Sequence, residues 1–338
     1  MTESATTAPL LAVTDLRVHY PIRHGLLRRA PGAVRAVDGV DFAVNRGETY
    51  ALVGESGCGK STTGYAVLGM IRPTSGRVTF LGTDLASLDP RALREAQREM
   101  QIVFQDPYAS LNPKMTVGES IGEPLLVRGV MRGAALARRV REVLDLVGLQ
   151  AAHASRYPHE FSGGQRQRVV IARALALLPK LIVCDEPVSA LDVSIRSQIL
   201  NLLMALQRDL GLAYLFISHD LAVVRHVSDR VGVMYLGHIV EEAPTDRLFS
   251  GPAHPYTQAL LSAILLPDPR AQRARPRIIL QGDLPSPAAP PSGCPFRTRC
   301  PIAGDICAAE APRFRPVAGN HQVACHKAVP LETAAGAP

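Results

Sequence analysis

Eight consecutive residues constrain this chain more than any other feature: residues 54–61 are Gly-Glu-Ser-Gly-Cys-Gly-Lys-Ser. They match the pattern G-x-x-x-x-G-K-[ST] and lie between a short apolar run, residues 50–53, and a helical pattern over residues 61–70. The glycines allow backbone N–H groups to turn around an anion, and the start of the following helix favours negative charge. A glycine-rich turn without a ligand is the alternative. The fixed positions and both flanks instead predict a phosphate-binding loop and a nucleotide site.

Length and composition describe an ordinary globular chain, with 338 residues, 47% of them hydrophobic and 20% charged. No run of 18 uncharged apolar residues occurs, and residues 1–9 lack the pattern of a secretory signal. We therefore expect an intracellular protein without a membrane span. The net charge of +7 is compatible with nucleic acid, an anionic membrane surface or small anionic ligands, and does not choose among them.

The loop supplies most of the predicted nucleotide contacts. We expect Lys60 to reach the β- and γ-phosphates and the Ser61 hydroxyl to be a ligand of Mg²⁺. Tyr20 ends a predicted strand upstream, where its ring could stack on a base, although a lone aromatic residue more often only packs. The full predicted contact set in this region is Tyr20, Gly54, Glu55, Ser56, Gly57, Cys58, Gly59, Lys60, Ser61 and Thr62.

Polar side chains follow three apolar strands, at the strand ends where ligands bind in open α/β sheets. Asp185 and Glu186 end the run 181–184; Asp185 is placed to hold Mg²⁺ through water, and Glu186 to orient or deprotonate the attacking water. Gln105 follows the run 102–104 and is a candidate for reaching the metal or its water. His219 follows a later strand and is a candidate sensor of the γ-phosphate.

A second anion-binding construction occurs far from the first. Ser162, Gly163, Gly164 and Gln165 stand at the start of a predicted helix, and a serine cap followed by two glycines exposes backbone N–H groups. One nucleotide needs one such loop. The second one therefore predicts closure over a nucleotide held by another copy.

Together with the segment 189–192, these motifs in this order resemble the ATPase subunit of an ABC transporter, over roughly residues 10 to 326. The segments 104–113 and 254–261 and four late cysteines are similar to those of oligopeptide/dipeptide importers. Residues 18–21 and the basic insertion after them resemble the second of the two ATPase subunits in such systems. One departure is Phe161, where the family usually has Leu; this apolar exchange puts little in doubt.

The resemblance implies an α/β P-loop NTPase fold with a RecA-like core, an antiparallel β subdomain and a helical subdomain. It implies an ABC ATP-binding domain over residues 10–255, with the helical subdomain at about 90–175, and a small Cys-rich C-terminal extension over 256–330. The implied function is ATP hydrolysis that powers import of peptides, or of related small solutes such as nickel, at the cytoplasmic face of the membrane.

Site roles and partners also follow from the resemblance. The implied catalytic residues are Glu186, His219 and Gln105, the implied Mg²⁺ ligands are Ser61, Gln105 and Asp185, and Tyr20 lies on adenine. The residues that would act on the partner subunit's nucleotide are Ser162, Gly163, Gly164, Gln165 and Asp192. The implied partners are a second ATPase subunit, either related or identical, two transmembrane permease subunits and, indirectly, an extracytoplasmic substrate-binding protein, with no nucleic acid.

Two other readings remain open at the level of sequence. ABC-type ATPases also act in DNA repair, chromosome organisation and ribosome rescue, but those usually carry two ATPase domains, a long coiled coil or a zinc-bearing insertion. This chain has one phosphate loop and no sustained heptads, and its late cysteines follow the ATPase motifs. A binding module without turnover is opposed by the intact Asp185-Glu186 pair and His219.

Four of the six cysteines, Cys294, Cys300, Cys307 and Cys325, crowd the end of the chain after a Pro-rich linker. They contain no C-x-x-C pair, so the usual zinc-ribbon spacing is not met. Cysteine-only ligation with open spacing suits an iron-sulfur cluster, and the resemblance points to a [4Fe-4S] centre. Zn²⁺ and free thiols are the alternatives, and His321 and His326 are further candidate ligands. Because these cysteines lie far in sequence from every nucleotide motif, we expect a structural or redox-sensing role.

Overall fold

The computed structural model describes residues 8–22, 32–264, 270, 273 and 277–328, so the basic insertion at 23–31 lies outside the described residues. The chain forms two compact units. Unit 1 contains Val44–Thr49 and Phe80–Ile217, with residues up to Leu10; unit 2 contains Leu11–Ala43, Tyr50–Thr79 and the chain from Ser218 onward.

The strands, in chain order, are β1 Leu11–Ile22, β2 Gly32–Val44, β3 Thr49–Val53, β4 Ser75–Phe80, β5 Thr83–Asp84, β6 Met100–Val103, β7 Leu181–Asp185, β8 Ala213–Ser218, β9 Arg230–Tyr235, β10 His238–Pro244, β11 Arg315–Ala318 and β12 His321–Val323. The α-helices are α1 Lys60–Val67, α2 Pro90–Ala96, α3 Pro107–Ser110, α4 Val117–Val127, α5 Gly133–Leu146, α6 Gly163–Leu175, α7 Val193–Leu210, α8 Leu221–Val227, α9 Thr245–Ser250, α10 Pro255–Ser262 and α11 Asp305–Ala309. Short 3₁₀ turns occur at Leu85–Ser87, Ala151–Ser155 and Pro158–Glu160.

Unit 1 carries three parallel strands in the order β6, β7, β8. Leu181 of β7 is in register with Met100 of β6 and with Ala213 of β8. All residues of β7 and β8 are buried, as expected for parallel strands with continuous apolar sequences. Asp185 ends β7 level with Ile217, so the predicted acidic pair lies at the carboxyl end of this sheet.

The helices of unit 1 begin at residues that cap their free N–H groups. The Asp89 carboxylate accepts hydrogen bonds at the start of α2, with proline at the first helical position. Thr116 and Glu119 form a capping box at α4. The helix α7 ends at Gly211, whose φ of 65° is the left-handed conformation that glycine adopts at helix ends. The helices predicted from periodicity are present, with small shifts at their ends.

Unit 2 carries the phosphate loop between β3 and α1. Strand β3 pairs in parallel with β9, Leu52 opposite Gly232, and β10 pairs antiparallel with β9. In the second sheet of this unit β1 lies between β2 and β4. Parallel pairing of β3 fixes the direction in which the chain enters the phosphate loop.

The C-terminal segment joins the sheet of unit 2, which the sequence did not predict. Strand β12 pairs antiparallel with β10, Val323 opposite Glu241, and β11 pairs with β12. Val323 is fully buried. The segment is therefore packed into a sheet and is more than an extended tail held by its cysteines. Within the described part of the chain, no helix is long and apolar enough to cross a membrane.

Candidate nucleotide site and four-cysteine site

The phosphate loop has a backbone that requires glycine at two positions. Gly54 and Gly59 have φ values of 153° and 109°, which residues with a Cβ atom rarely adopt. A Cβ atom at Gly54 would lie 2.1 Å from the carbonyl oxygen of Met234, and one at Gly59 would lie 2.1 Å from that of Ala36. The glycines of the motif are thus explained by backbone conformation and by close approach of neighbouring strands.

The Lys60 side chain is folded into the loop. Its Nζ donates to the carbonyl oxygens of Gly54 at 2.8 Å and Glu55 at 2.9 Å, and it lies 3.7 Å from Cys58 Sγ. The residue is buried. The ammonium therefore adds positive charge at the start of α1, where the backbone already favours anions.

Cys58 and Cys184 are packing residues. Burial raises the pKa of the Cys58 thiol, although nearby Lys60 opposes this, and full burial raises the pKa of Cys184. Both therefore stay as neutral thiols at physiological pH, and a neutral thiol is a poor nucleophile.

Glu55 joins the phosphate loop to two other parts of unit 2. Its N–H donates to the Tyr256 hydroxyl at 2.9 Å, and its carboxylate accepts two hydrogen bonds from the Arg299 guanidinium, Nη1–Oε2 at 2.7 Å and Nη2–Oε1 at 3.2 Å. The bond to Glu55 raises the pKa of Arg299. Arg299 directly precedes Cys300, so the segment that holds these cysteines contacts the phosphate loop although the two lie far apart in sequence. No local pattern signals a contact across 244 residues of sequence.

Unit 1 brings two of the predicted catalytic residues together. Gln105 Nε2 donates to Glu186 Oε2 at 2.8 Å. Glu186 has a φ of 50°, and its N–H donates to the Ile217 carbonyl oxygen at 2.9 Å. A non-glycine residue in this conformation costs about 1–3 kcal/mol and often occurs at functional sites. Asp185, the preceding residue, is buried.

The second predicted anion-binding segment is a capped helix start. Gln165 N–H donates to Ser162 Oγ at 3.4 Å, and Ser162 N–H donates to Gln165 Oε1 at 3.1 Å, which together form a capping box on α6. A Cβ at Gly164 would lie 2.5 Å from Cγ2 of Ile195 on α7, so this glycine is also required for helix packing. The sequence analysis missed that second reason.

The remaining predicted residues are divided between the units. Tyr20 is 41% exposed near the end of β1, and exposed His219 directly follows β8, both in unit 2 with Ser61 and Thr62. Asp192 is the N-cap residue of α7 in unit 1. The structure thus brings Lys60 together with its loop and Gln105 together with Glu186; a nucleotide site using both sets stays a prediction.

Four cysteines of unit 2 line one pocket: Cys294, Cys300, Cys307 and Cys325. All four are free thiols. We call residues 294–325 the four-cysteine segment. Cys294 N–H donates to the Cys307 carbonyl oxygen at 2.8 Å, and this bond holds the backbone of the first cysteine of the set next to that of the third. Among the described residues, no three His, Cys, Asp or Glu side chains have the geometry to hold a metal ion.

Burial controls the protonation of three of these thiols. It raises the pKa of Cys294 to about 11 and also raises the pKa values of Cys300 and Cys325. The thiols of these three residues are therefore protonated at physiological pH, and metal binding would release their protons.

The histidines near this pocket have other partners. His254 Nδ1 accepts from the Tyr256 N–H at 3.1 Å, and burial lowers the pKa of His254 to about 4 although Glu241 opposes this. His326 Nε2 bonds to the Glu310 carbonyl oxygen at 3.1 Å. His321 Nε2 bonds to Glu241 Oε1. His321 and His326, considered above as further ligands, thus each use one ring nitrogen elsewhere.

Comparison with known proteins identifies the family. Residues 37–189 match the family model "ABC transporter", and residues 240–307 match "Oligopeptide/dipeptide transporter, C-terminal region". The chain is 52% identical over 324 residues to the oligopeptide transport ATP-binding protein AppF of Bacillus subtilis (strain 168), covering 96% of this chain and 98% of AppF. It is 52% identical over 328 residues to OppF of Escherichia coli (strain K12), covering 95% of this chain and 97% of OppF.

A comparison of the fold with solved structures identifies the same family. The dimeric post-hydrolysis ATP-binding cassette MJ0796 bound to ADP and Pi matches with a TM-score of 0.61 and 30% identity, covering 70% of this chain and 98% of that one. The predicted cassette fold is therefore confirmed, and the chain is an ATPase. It belongs to the ATP-binding subunits of ABC transporters, within the oligopeptide/dipeptide transporter family.

Proposed function

We propose that this chain hydrolyses ATP to power import of oligopeptides or dipeptides, or of related small solutes such as nickel, through a membrane permease. One observation carries the transport assignment: similarity to the oligopeptide transport protein AppF extends over 96% of the chain, and residues 240–307 match the transporter-specific C-terminal region. An ATPase of DNA repair or ribosome rescue has no reason to carry that region.

ATP binding would begin at the phosphate loop. The Lys60 ammonium, held at 2.8 Å from the Gly54 carbonyl oxygen, is positioned to exchange loop carbonyls for the β- and γ-phosphates. Tyr20 would stack on adenine. The proposed Mg²⁺ ligands are Ser61, Gln105 and Asp185; hydroxyl, amide and carboxylate oxygens suit this ion, which supplies charge neutralisation on the phosphates.

Hydrolysis would depend on Glu186. As the water oxygen attacks the γ-phosphorus and the bond to the leaving ADP oxygen breaks, the Glu186 carboxylate accepts the water proton. The Gln105 amide, 2.8 Å from Glu186 Oε2, limits the rotation of that carboxylate. His219 would donate a hydrogen bond to the γ-phosphate.

A second subunit would complete each site. The residues proposed to act on the partner's ATP are Ser162, Gly163, Gly164, Gln165 and Asp192. The capping box leaves the other N–H groups at the start of α6 available to an anion. The dimeric form of the related cassette MJ0796 supports this arrangement. ATP binding then closes the dimer and hydrolysis releases it.

The same proposal gives a place and partners to the chain. It would work on the cytoplasmic face of the membrane with a second ATPase subunit, related or identical, two transmembrane permease subunits and, indirectly, an extracytoplasmic substrate-binding protein. The ATP-binding domain would span residues 10–255, with its helical subdomain at about 90–175, and the C-terminal extension would span residues 256–330.

The four cysteines are proposed to hold a [4Fe-4S] cluster, with Zn²⁺ as the alternative. Zn²⁺ needs its donors about 2.0–2.3 Å from one point. Among the described residues no three such donors meet at one point, whereas the thiols of Cys294, Cys300, Cys307 and Cys325 line one pocket and match the four-thiolate ligand set of a cluster. Cys294 and Cys307 are buried, which would shield that side of a cluster from solvent. The cluster would cross-link the segment, because ligand binding then contributes to its folding free energy.

Co-purification tests the proposed function. The tagged chain is expressed in its own host, membranes are solubilised in mild detergent, and proteins bound to it are identified. We expect a permease pair and, after reconstitution into liposomes with the substrate-binding protein, ATP-dependent peptide uptake. A Glu186→Gln chain is the control: it should bind the same permease and support no uptake. Recovery of ribosomes or DNA without a permease would overturn the transport assignment.

A further inference from the structure

Arg299 connects the four-cysteine segment to the phosphate loop. We propose that Arg299 is a positioning residue for ATP binding, which holds the phosphate loop in its nucleotide-binding form through Glu55. The segment that contains the cysteines thereby sets the affinity of the loop for nucleotide. This inference rests on the proposed function in one respect, that ATP is the nucleotide bound at the loop.

The direct contact has the geometry of a strong ion pair. Two hydrogen bonds, at 2.7 and 3.2 Å, join the Arg299 guanidinium to both oxygens of Glu55, which fixes the position and the plane of the carboxylate. The Arg299 side chain is only 10% exposed. Solvent therefore screens this pair less than it screens a surface ion pair, whose contribution is usually small.

A second contact reaches Glu55 by a separate route. The Tyr256 hydroxyl accepts the Glu55 N–H at 2.9 Å. The Tyr256 ring lies 5.5 Å from Phe296, which stands between Cys294 and Cys300 in the sequence, and 4.8 Å from Tyr235. Tyr235 also packs edge-on against Phe296 at 5.2 Å. Phe296 and Arg299 thus hold the backbone and the side chain of the same loop residue.

Glu55 passes this restraint to the lysine of the motif. Its carbonyl oxygen accepts a hydrogen bond from Lys60 Nζ at 2.9 Å, so one residue separates Arg299 from the ammonium that is expected on the phosphates. Without Arg299, the Glu55 carboxylate would also add an unneutralised negative charge beside an anion site. Both effects weaken nucleotide binding, and neither one changes Glu186, which acts on the water.

Nucleotide titration of the full-length protein tests this inference. We expect Arg299→Ala to raise the Kd for the non-hydrolysable analogue AMP-PNP with Mg²⁺ by roughly ten-fold, the scale of a lost charge-assisted bond beside a bound anion. The KM for ATP should rise in parallel, and kcat at saturating ATP should stay close to that of the wild type. Arg313→Ala is the matched control, because it removes the same charge from an exposed arginine of the same segment.

Further variants separate positioning from folding. Arg299→Lys keeps the charge but loses the two-point bond, so we expect an intermediate Kd. In Arg299→Ala with Glu55→Gln, the repulsion is gone and part of the affinity should return. If Arg299→Ala does not fold, Arg299→Lys and Arg299→Gln replace it. Wild-type affinity in the folded Arg299 variants would overturn the inference, whereas a wild-type protein that does not bind AMP-PNP would overturn the proposed function.

Discussion

Glu241 and His321 form a buried pair between strands β10 and β12, with His321 Nε2 2.6 Å from Glu241 Oε1; the Glu241 side chain is 0% exposed and that of His321 2%. The same carboxylate accepts the N–H groups of Ala253 at 2.6 Å and His254 at 3.0 Å. Three donors converge on one carboxylate, which satisfies its buried charge. This pair therefore attaches the C-terminal segment to the rest of unit 2.

We predict that Glu241→Gln destabilises the protein strongly. The glutamine NH₂ group would face one of the three donors, and breaking a buried pair costs about 3–5 kcal/mol. The measurement is the free energy of unfolding in urea for the full-length protein. Glu310→Gln, at an exposed glutamate of the same segment, should unfold like the wild type. An unchanged unfolding midpoint in Glu241→Gln would show that the pair does not anchor the segment.

A second prediction concerns the proposed base. Glu186→Gln should lower kcat by about 10²–10⁴-fold, the usual contribution of general base catalysis, and leave the Kd for ATP unchanged. Lys60→Ala should show the opposite pattern, with weak binding as its first defect. Binding and turnover are measured on both variants. Near-normal hydrolysis by Glu186→Gln would remove this residue from the role of general base.

The orienting role of Gln105 gives a third prediction. Gln105→Ala removes the 2.8 Å hydrogen bond to the Glu186 carboxylate and one proposed Mg²⁺ ligand, so we expect a lower kcat together with weaker binding of AMP-PNP with Mg²⁺. The loss should be smaller than in Glu186→Gln, because the base itself remains. The comparison uses single-turnover rates with saturating ATP. If the double variant Gln105→Ala, Glu186→Gln loses the full product of both effects, the two residues act independently.

The sequence predicted those parts of the site that local patterns encode. The phosphate loop needs glycine where Gly54 and Gly59 lie near backbone carbonyls, and buried strands such as β7 are continuous apolar runs. Local sequence patterns did not predict the contact of Arg299 with Glu55 or the pairing of β12 with β10. Both join positions far apart in sequence through side-chain charge or a three-residue strand, and neither leaves a periodic pattern.

A fourth prediction tests whether two subunits share each site. If Ser162 acts on the partner's nucleotide, a homodimer that mixes Lys60→Ala chains with Ser162→Ala chains should contain one intact composite site and recover ATPase activity. Each variant alone should be inactive. No recovery, together with no crosslink between cysteines introduced near Ser56 and Ser162 of different chains, would reject this role in a homodimer. A crosslink only to a related ATPase subunit would assign it to a heterodimer.

The last prediction joins the four-cysteine site to the nucleotide site. Anaerobically purified protein should be brown and contain about four iron and four sulfide per chain if Cys294, Cys300, Cys307 and Cys325 hold a [4Fe-4S] cluster. Replacing Cys325 by Ser should lose the colour and lower the unfolding temperature, since the cluster contributes to the folding of its segment. Because Arg299 directly precedes Cys300 and bonds to Glu55, the Cys325→Ser protein should also bind AMP-PNP more weakly, while its kcat at saturating ATP is retained.

Cys184→Ser, at a buried cysteine outside the segment, is the control for the cluster and should keep the iron. One zinc per chain and no iron would replace the cluster by a zinc site, and full iron loss with unchanged AMP-PNP affinity would show that the cluster does not act on the phosphate loop.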